Sequence, residues 1–464
     1  MLRQAAALDQ TRFFDANVDW ERGASVKALG LNLTAEIAVL NRSAVALAAD
    51  SAGTIGSGAS SKIYNAFNKI FELSEHEPVA VMIYGGLDFM GLPLEVLIKE
   101  YRRLRLGKTF PTLKGYAEDF REYLSTYVSC DPEDHVQNAA KTLLPFLRSV
   151  SNEARKRWND EAESNGKHLA SRIGGNLEAV LNERAALLKS APWNDRFLTK
   201  TPAGKDRYDD VVGEILDHFF AGANQANRQK LHRIARLQLI KGDLSPQRTG
   251  IVVAGFGTDE MCPSLEAIET DGIIYDRLKY KNTESIDIGR RGPHASIVGF
   301  AQDDMVGRFL NGVDPAYETH VLSLVKDLND KFLASLAGAV GASPSPAAAA
   351  DALAGLRAAF DQIHKEASEK ITKFRNDQFR DPIIDMIRFM PNQELATLAA
   401  SLIDLTSLKR RVSRERETVG GDVDVAVISK SEGFVWIKRK HYFPGDLNPR
   451  FFNRMRLRSE HGDT

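Results

Sequence analysis

The stretch TAEIAVLNRSAVALAAD, Thr34 to Asp50, decides how the chain is read. It holds two short apolar runs, residues 35–41 and 44–49, on either side of Asn41-Arg42-Ser43. Each run is too short for a helix and long enough for a strand, and the polar triplet between them reads as a hairpin turn. A Gly/Ser-rich loop follows, Gly53 to Ser61. Two more strand-like runs, Lys69–Leu73 and Val79–Tyr84, are joined by a polar turn at Glu75–Pro78. The segment after Thr34 is therefore predicted to hold four antiparallel strands.

Beyond Gly86 the period changes. Leu92, Leu94, Leu97, Ile98, Tyr101 and Leu104 recur at helical spacing, predicting a helix over Leu87–Leu106 with Gly107 as its stop. A second helix is expected over Leu113–Val128. Residues 131–247 are charged and helix-favouring, with few strand-like runs, and read as a helical insert with a looser connection around Ser190–Asp206. Strand signals return at Ile251–Ala254, Leu265–Glu269 and Ile273–Tyr280, with Asp271-Gly272 as a hairpin marker, and again at Ala295–Phe300. Helices are expected at 303–311 and 316–337. Gly338–Ala350, with its Ser-Pro repeats and alanine run, reads as a connector, and helices resume at 351–374 and 393–414. Two last strands, Val423–Ser429 and Phe434–Lys438, flank a turn at Ser431-Glu432-Gly433. Apolar strands in this order favour two antiparallel sheets face to face with helices outside, a four-layer αββα arrangement of the α/β (α+β) class. The division expected is a leader, 1–33; a first part of the core, 34–130; the helical insert, 131–247; and a second part of the core with additional helices, 248–464.

Composition narrows the function classes. The chain has 464 residues with 61 Lys and Arg against 62 Asp and Glu, a balance that argues against nucleic acid or anionic lipid held by bulk charge. The basic runs Arg102–Lys108 and Lys409–Arg416 read as solvated helix faces. The two cysteines, Cys130 and Cys262, form no C-x-x-C pair, which excludes a disulfide framework and a Cys-rich zinc site. No apolar run reaches the ~18 residues of a membrane helix. The leader has no signal-peptide core, so a cytoplasmic location is expected. The ten histidines make no H-E-x-x-H, and no G-x-S-x-G, Walker loop or strand-linked G-x-G-x-x-G is present. No metal or organic cofactor is expected.

Chemistry concentrates near the first hairpin. Thr34 starts the first strand, Asp50 ends the second, Lys62 opens the segment after the loop, and Gly85-Gly86 closes the fourth strand. Antiparallel pairing can gather these strand ends at one edge. A hydroxyl, a cation, a carboxylate and glycine N–H groups are the parts of acyl transfer: a nucleophile, groups that tune it, and oxyanion donors. Each part alone is more often structural, since threonine is a β-former, an Asp/Lys pair is commonly a surface ion pair, and Gly-Gly commonly makes a turn.

In combination these segments resemble the proteasome β subunits and their bacterial relatives, which are N-terminal nucleophile hydrolases. Thr34–Gly56 is similar to their amino-terminal hairpin, Lys62–Gly86 to their segment from active-site lysine to oxyanion-hole glycine, Gly250–Tyr275 to their central hairpin, and Thr418–Ile437 to their carboxy-terminal strands. The resemblance implies the αββα sandwich of that family. It implies that Thr34 attacks a carbonyl, with its own free α-amine as base. Lys62 would keep the local field positive, and Asp50 would orient and neutralise Lys62. The Gly85 N–H would stabilise the oxyanion, or Gly86 if the register shifts by one. Ala52, Thr54 and Gly86 are the implied substrate-binding positions. A peptide or small-amide substrate and a homo-oligomer, possible as a ring, follow by the same resemblance; an ATP-driven unfoldase partner is not readable.

Three departures accompany it. The family's late serine maps to Val298–Gln302, which contains none; its aspartate maps to Arg416 and its second serine to Val419, so Glu417 and Thr418 are the substitutes in a shifted register. The loop before Lys62 is shorter than in archaeal proteasomes. Leu33 precedes the threonine where glycine is usual, and an amine base requires Thr34 to open the mature chain. Leu33 is therefore read as an alternative start codon, with autocleavage at Leu33-Thr34 as the second route. If Thr34 stays internal, a non-catalytic proteasome-like scaffold or assembly protein is the rival reading.

Overall fold

The structure, a computed structural model, describes residues 34–55, 62–126, 132–165, 173–191, 208–220, 222–241, 243–289, 292–340, 346–413 and 420–453. Strands β1 (Ala35–Asn41) and β2 (Ala44–Ala49) pair as an antiparallel hairpin. Its turn is built by one side chain. Asn41 Oδ1 accepts from the N–H groups of Ser43 (2.9 Å) and Ala44 (3.1 Å), and Asn41 Nδ2 donates to the carbonyls of Ile387 (3.1 Å) and Met390 (2.9 Å). A buried asparagine thus closes the turn and fastens it to a distant helix.

From Thr34 to Gly85 the chain holds six strands, two more than its four apolar runs predict. The expected loop contributes β3 (Ala52–Ile55), paired with β4 (Lys62–Asn65). Then come β5 (Ile70–Glu72) and β6 (Val79–Gly85). The helix expected from Leu87 starts seven residues later. Residues 87–93 instead form a miniature hairpin, β7 (Asp88–Phe89) and β8 (Leu92–Pro93), and α1 spans Leu94–Leu104. Met90 and Gly91 take positive φ there, and Pro93 holds Leu92 out of the helical region, so helical spacing cannot propagate back through them. Helix α2 spans Leu113–Thr126.

Among the described residues the insert holds four helices: α3 (Pro132–Asn165), α4 (Ile173–Ser190), α5 (Asp209–Phe220) and α6 (Gln225–Ile240). Strands β9 (Thr249–Gly255), β10 (Ser264–Ile274), β11 (Arg277–Asp287) and β12 (Ala295–Ala301) follow. Here Asp271-Gly272 is not a hairpin turn. It is a bulge within β10, with Asp271 unpaired between Thr270 and Gly272. Gly272 uses its positive φ for that bulge, and the two-residue turn falls at Tyr275-Asp276, both at positive φ. Helices α7 (Asp304–Asn311), α8 (Pro315–Val340) and α9 (Pro346–Arg375) come next, so the alanine run of the expected connector is helical. A π-turn at Asn376–Arg380 leads into α10 (Asp381–Ile387), then α11 (Asn392–Val412), β13 (Asp424–Ser429) and β14 (Gly433–Lys438). Among the described residues no helix is long and apolar enough to cross a membrane.

The strands form two five-stranded antiparallel sheets, ordered β12-β1-β2-β13-β14 and β11-β10-β9-β6-β5. Strand alternation divides their side chains between two faces. Ala38, Leu40, Val45, Leu47, Ala426 and Ile428 of the first sheet share one core with Ala80, Met82, Val252 and Ala254 of the second. The opposite face of the first sheet, rich in alanine along β2, packs on Leu395, Ala399, Leu402 and Ile403 of α11. The opposite face of the second sheet packs on Leu97, Ile98, Phe120 and Leu124 of α1 and α2. The insert has its own core around Leu143, Leu181, Leu216 and Leu231, which closes on Ile274 at the tip of β10. Polar contacts fix that junction: Asn138 Nδ2 donates to the carbonyl of Asp271 at 2.8 Å, and Lys279 Nζ donates to Asp271 Oδ2 at 2.9 Å and to the carbonyls of Gln238 and Asp243.

Candidate active site

The strand ends at one edge of the two sheets bring Thr34, Glu36, Asp50, Lys69 and Gly85 together. Thr34 precedes β1 and is buried, with 1% of its surface exposed. Its hydroxyl donates to Glu36 Oε2 at 3.0 Å. The backbone N–H of Gly85, at the end of β6, points at the same hydroxyl oxygen from 3.4 Å. Gly85 has a φ of +69°, and a Cβ there would meet the carbonyl oxygen of Arg248 at 2.7 Å, so this backbone conformation and this neighbour both call for glycine.

Beneath Thr34 lies a buried charge cluster. Lys69 Nζ donates to Asp50 Oδ1 and lies 3.1 Å from Glu36 Oε1, and all three side chains are fully buried. Asp50 is further held by the N–H of Ala35 on Oδ1 (3.3 Å) and the N–H of Gly420 on Oδ2 (2.9 Å). Burial works to lower the Lys69 pKa, but the carboxylates of Glu36 and Asp50 outweigh it, and the ammonium is stabilised above its usual range. Burial pushes Glu36 the other way from an ordinary carboxylate, to about 7; Lys69 opposes the rise and Asp50 adds to it. Two carboxylates share one ammonium, and the better-donated one is Asp50.

The expected site residues divide as follows. Thr34, Asp50 and Gly85 converge. Lys62 does not: it sits on β4 opposite Ile55 with an exposed side chain, and the cation beside Asp50 is Lys69. Lys62 opens its segment but belongs to an exposed ribbon, whereas Lys69 immediately precedes β5 and its Ile70 enters the core between the sheets. Gly86 is not the donor. Its N–H is taken by the Arg248 carbonyl at 3.1 Å, and a Cβ on it would run into Thr249 Oγ1. Ala52 is buried opposite Asn65 in the β3–β4 ribbon, and Thr54 pairs with Ile63 there. Glu417, with Thr418, lies outside the described residues.

Two residues besides Lys69 were not anticipated. Glu36 had a legible signal: β1 alternates, and Glu36 shares its inward parity with Ala38 and Leu40. An acid at an inward position of an apolar strand needs a cation or a proton. The second is Gln302, which follows β12. Ala301 pairs with Ala35, the residue after Thr34, and this is the last pair of that register. Gln302 is 4% exposed, and neither its Oε1 nor its Nε2 has a partner among the described residues. Ala301 itself has a positive φ of 59°, an uncommon conformation for a residue with a Cβ. A buried carboxamide with a free donor and a free acceptor is chemically matched to another amide.

A cleft of about 650 Å³ lies elsewhere, opening between β12 and helices α7 and α10 and lined by Asp287, Ser296, Val298, Asp303, Val306 and Arg380. Among the described residues no group of His, Cys, Asp and Glu is arranged to hold a metal ion. Comparison with protein-family models and with curated proteins gave no match.

Proposed function

We propose that this protein is a threonine hydrolase of the N-terminal nucleophile class, resembling the proteasome β subunits, and that its core is their αββα sandwich. One observation carries the proposal: a backbone N–H, from Gly85, converges on the hydroxyl of Thr34 above a buried Lys69–Asp50 pair. Thr34 Oγ1 attacks an amide carbonyl, and the Gly85 N–H stabilises the oxyanion. The amine leaves, and water then hydrolyses the acyl-threonine ester. Lys69 takes the place the resemblance gave to Lys62 as the cation of the site, and Asp50 orients it. Where Thr34 opens the mature chain, its α-amine titrates near ~7.7–8.0 and is available as a base. A peptide or small amide is the substrate, the cytoplasm the compartment, and a homo-oligomer the assembly.

The test is a β-lactone or vinyl-sulfone probe followed by peptide mapping. A covalent adduct on Thr34 that disappears in Thr34→Ala is the expected result; a chain confirmed to start at Thr34 that takes no adduct refutes the proposal. One observation favours a second reading, a non-catalytic proteasome-like scaffold: Thr34 is buried, so substrate reaches it only after the atoms covering it move. Absence of labelling with intact oligomeric assembly is the outcome that reading expects.

A further inference from the structure

We infer that Glu36 is the residue that takes the proton from the Thr34 hydroxyl, acting as general base and then as general acid. The inference rests on the threonine-nucleophile reading and adds a catalytic residue to it. Thr34 Oγ1 donates to Glu36 Oε2 at 3.0 Å, within the range from which a proton is transferred directly.

The cluster itself selects Glu36 over Asp50. Asp50 accepts from Lys69, from the Ala35 N–H and from the Gly420 N–H. Its two oxygens thus have three donors. Among the described residues Glu36 accepts from the hydroxyl of Thr34 and lies 3.1 Å from Lys69 Nζ, with no backbone N–H on either oxygen. One ammonium neutralises one of the two carboxylates, so the second negative charge, or the proton that replaces it, resides on Glu36. A pKa of about 7, raised first by burial, is consistent with a group that changes protonation state at neutral pH.

The step balances without any outside reagent. The hydroxyl proton moves to Glu36 Oε2 as the Oγ1 electron pair forms a bond to the amide carbon, and the carbonyl oxygen becomes an oxyanion. When the carbonyl re-forms, the C–N bond breaks and the proton passes from Glu36 to the departing nitrogen, leaving an acyl-threonine ester. Water then attacks the ester and gives its proton to Glu36. The C–Oγ1 bond breaks, and the proton returns to Oγ1. Thr34, Glu36 and Gly85 supply every group these steps need, whether or not the α-amine is free.

The competing role for Glu36 is structural, as a second counter-ion of Lys69. Labelling of Thr34 by a β-lactone, measured per folded molecule across pH 5.5 to 8.5 (roughly a unit and a half either side of neutrality), separates the two. The wild-type rate is expected to rise through pH of about 7. Glu36→Gln should label about 100-fold more slowly or worse and lose that rise. Equal labelling with an unchanged pH profile in a folded Glu36→Gln protein overturns the inference while leaving the threonine reading intact. Absence of labelling in the wild type overturns both. If Glu36→Gln does not fold, Glu36→Asp serves: it keeps the charge and withdraws the carboxylate from Oγ1, and labelling must fall about 10-fold or more. An unchanged rate in that variant also overturns the inference.

Discussion

The ammonium of Lys69 lies 3.1 Å from the carboxylate of Glu36, with neither side chain exposed. Removing it leaves two buried carboxylates without a cation. Lys69→Ala is expected to cost about 3–5 kcal/mol of folding stability. Lys62→Ala, on an exposed ribbon, should change stability by less than about 0.5 kcal/mol. Urea denaturation of the two variants checks this; equal losses would show that Lys69 is not the buried partner.

The same pair predicts a pH dependence. Glu36 is raised from 4.5 to about 7, chiefly by burial. Between those values the folded chain keeps a proton that the unfolded chain has released. The contribution of Glu36 to stability is therefore full below about pH 4.5 and is lost as pH rises through about 7. Wild-type stability relative to Glu36→Gln should fall over that window, measured by denaturation at a series of pH values. A constant difference contradicts the assignment.

Gly85→Ala combines a left-handed φ with a backbone oxygen 2.7 Å from the new Cβ. A loss of about 1–3 kcal/mol is expected from the strain, along with slower labelling of Thr34 because the N–H donor moves. Thermal melts and the probe assay read both effects, and an alanine variant as stable and as reactive as wild type would remove Gly85 from the site.

Gln302 should behave in the opposite sense. Its two carboxamide ends are buried and unpartnered among the described residues, so Gln302→Met is expected to raise stability by about 1–3 kcal/mol. Destabilisation on this substitution would mean that the carboxamide already has its partners.

At the junction with the insert, Lys279→Met strands Asp271, whose carboxylate otherwise accepts from Lys279 and from the Ser245 N–H. A loss of about 3–5 kcal/mol is expected. Adding Asp271→Asn should recover part of it, with a coupling of about 1 kcal/mol or more in a double-mutant cycle. Additive losses would show that the pair does not act as a unit.

The first hairpin was fully legible because its signals are local: two apolar runs and an asparagine that builds the turn with its own side chain. Thr34, Asp50 and Gly85 were placed by the resemblance together with strand ends that antiparallel pairing brings to one edge. Lys69 was missed because chain order does not distinguish a lysine on an exposed ribbon from one entering the core. Which it is depends on β5 pairing with β6. Asp271-Gly272 misled for a related reason. The pair reports a need for positive φ, and a bulge satisfies that need as well as a turn does. Residues 87–93 show the same limit, since leucines at helical spacing also fit a small hairpin stopped by Gly91 and Pro93.

Asp50 accepts from the N–H of Gly420, 370 positions further along the chain, and β2 pairs along its whole length with β13. At roughly 5–20 residues per second, a ribosome needs on the order of tens of seconds to deliver that partner after β2 has emerged. Through that interval the nascent hairpin has an apolar strand edge with nothing to pair, an invitation to misassembly that gives chaperones a defined client. It also means that the polar cluster cannot close until translation is nearly finished, so a truncated polypeptide carries Thr34 without the surroundings that would make it reactive.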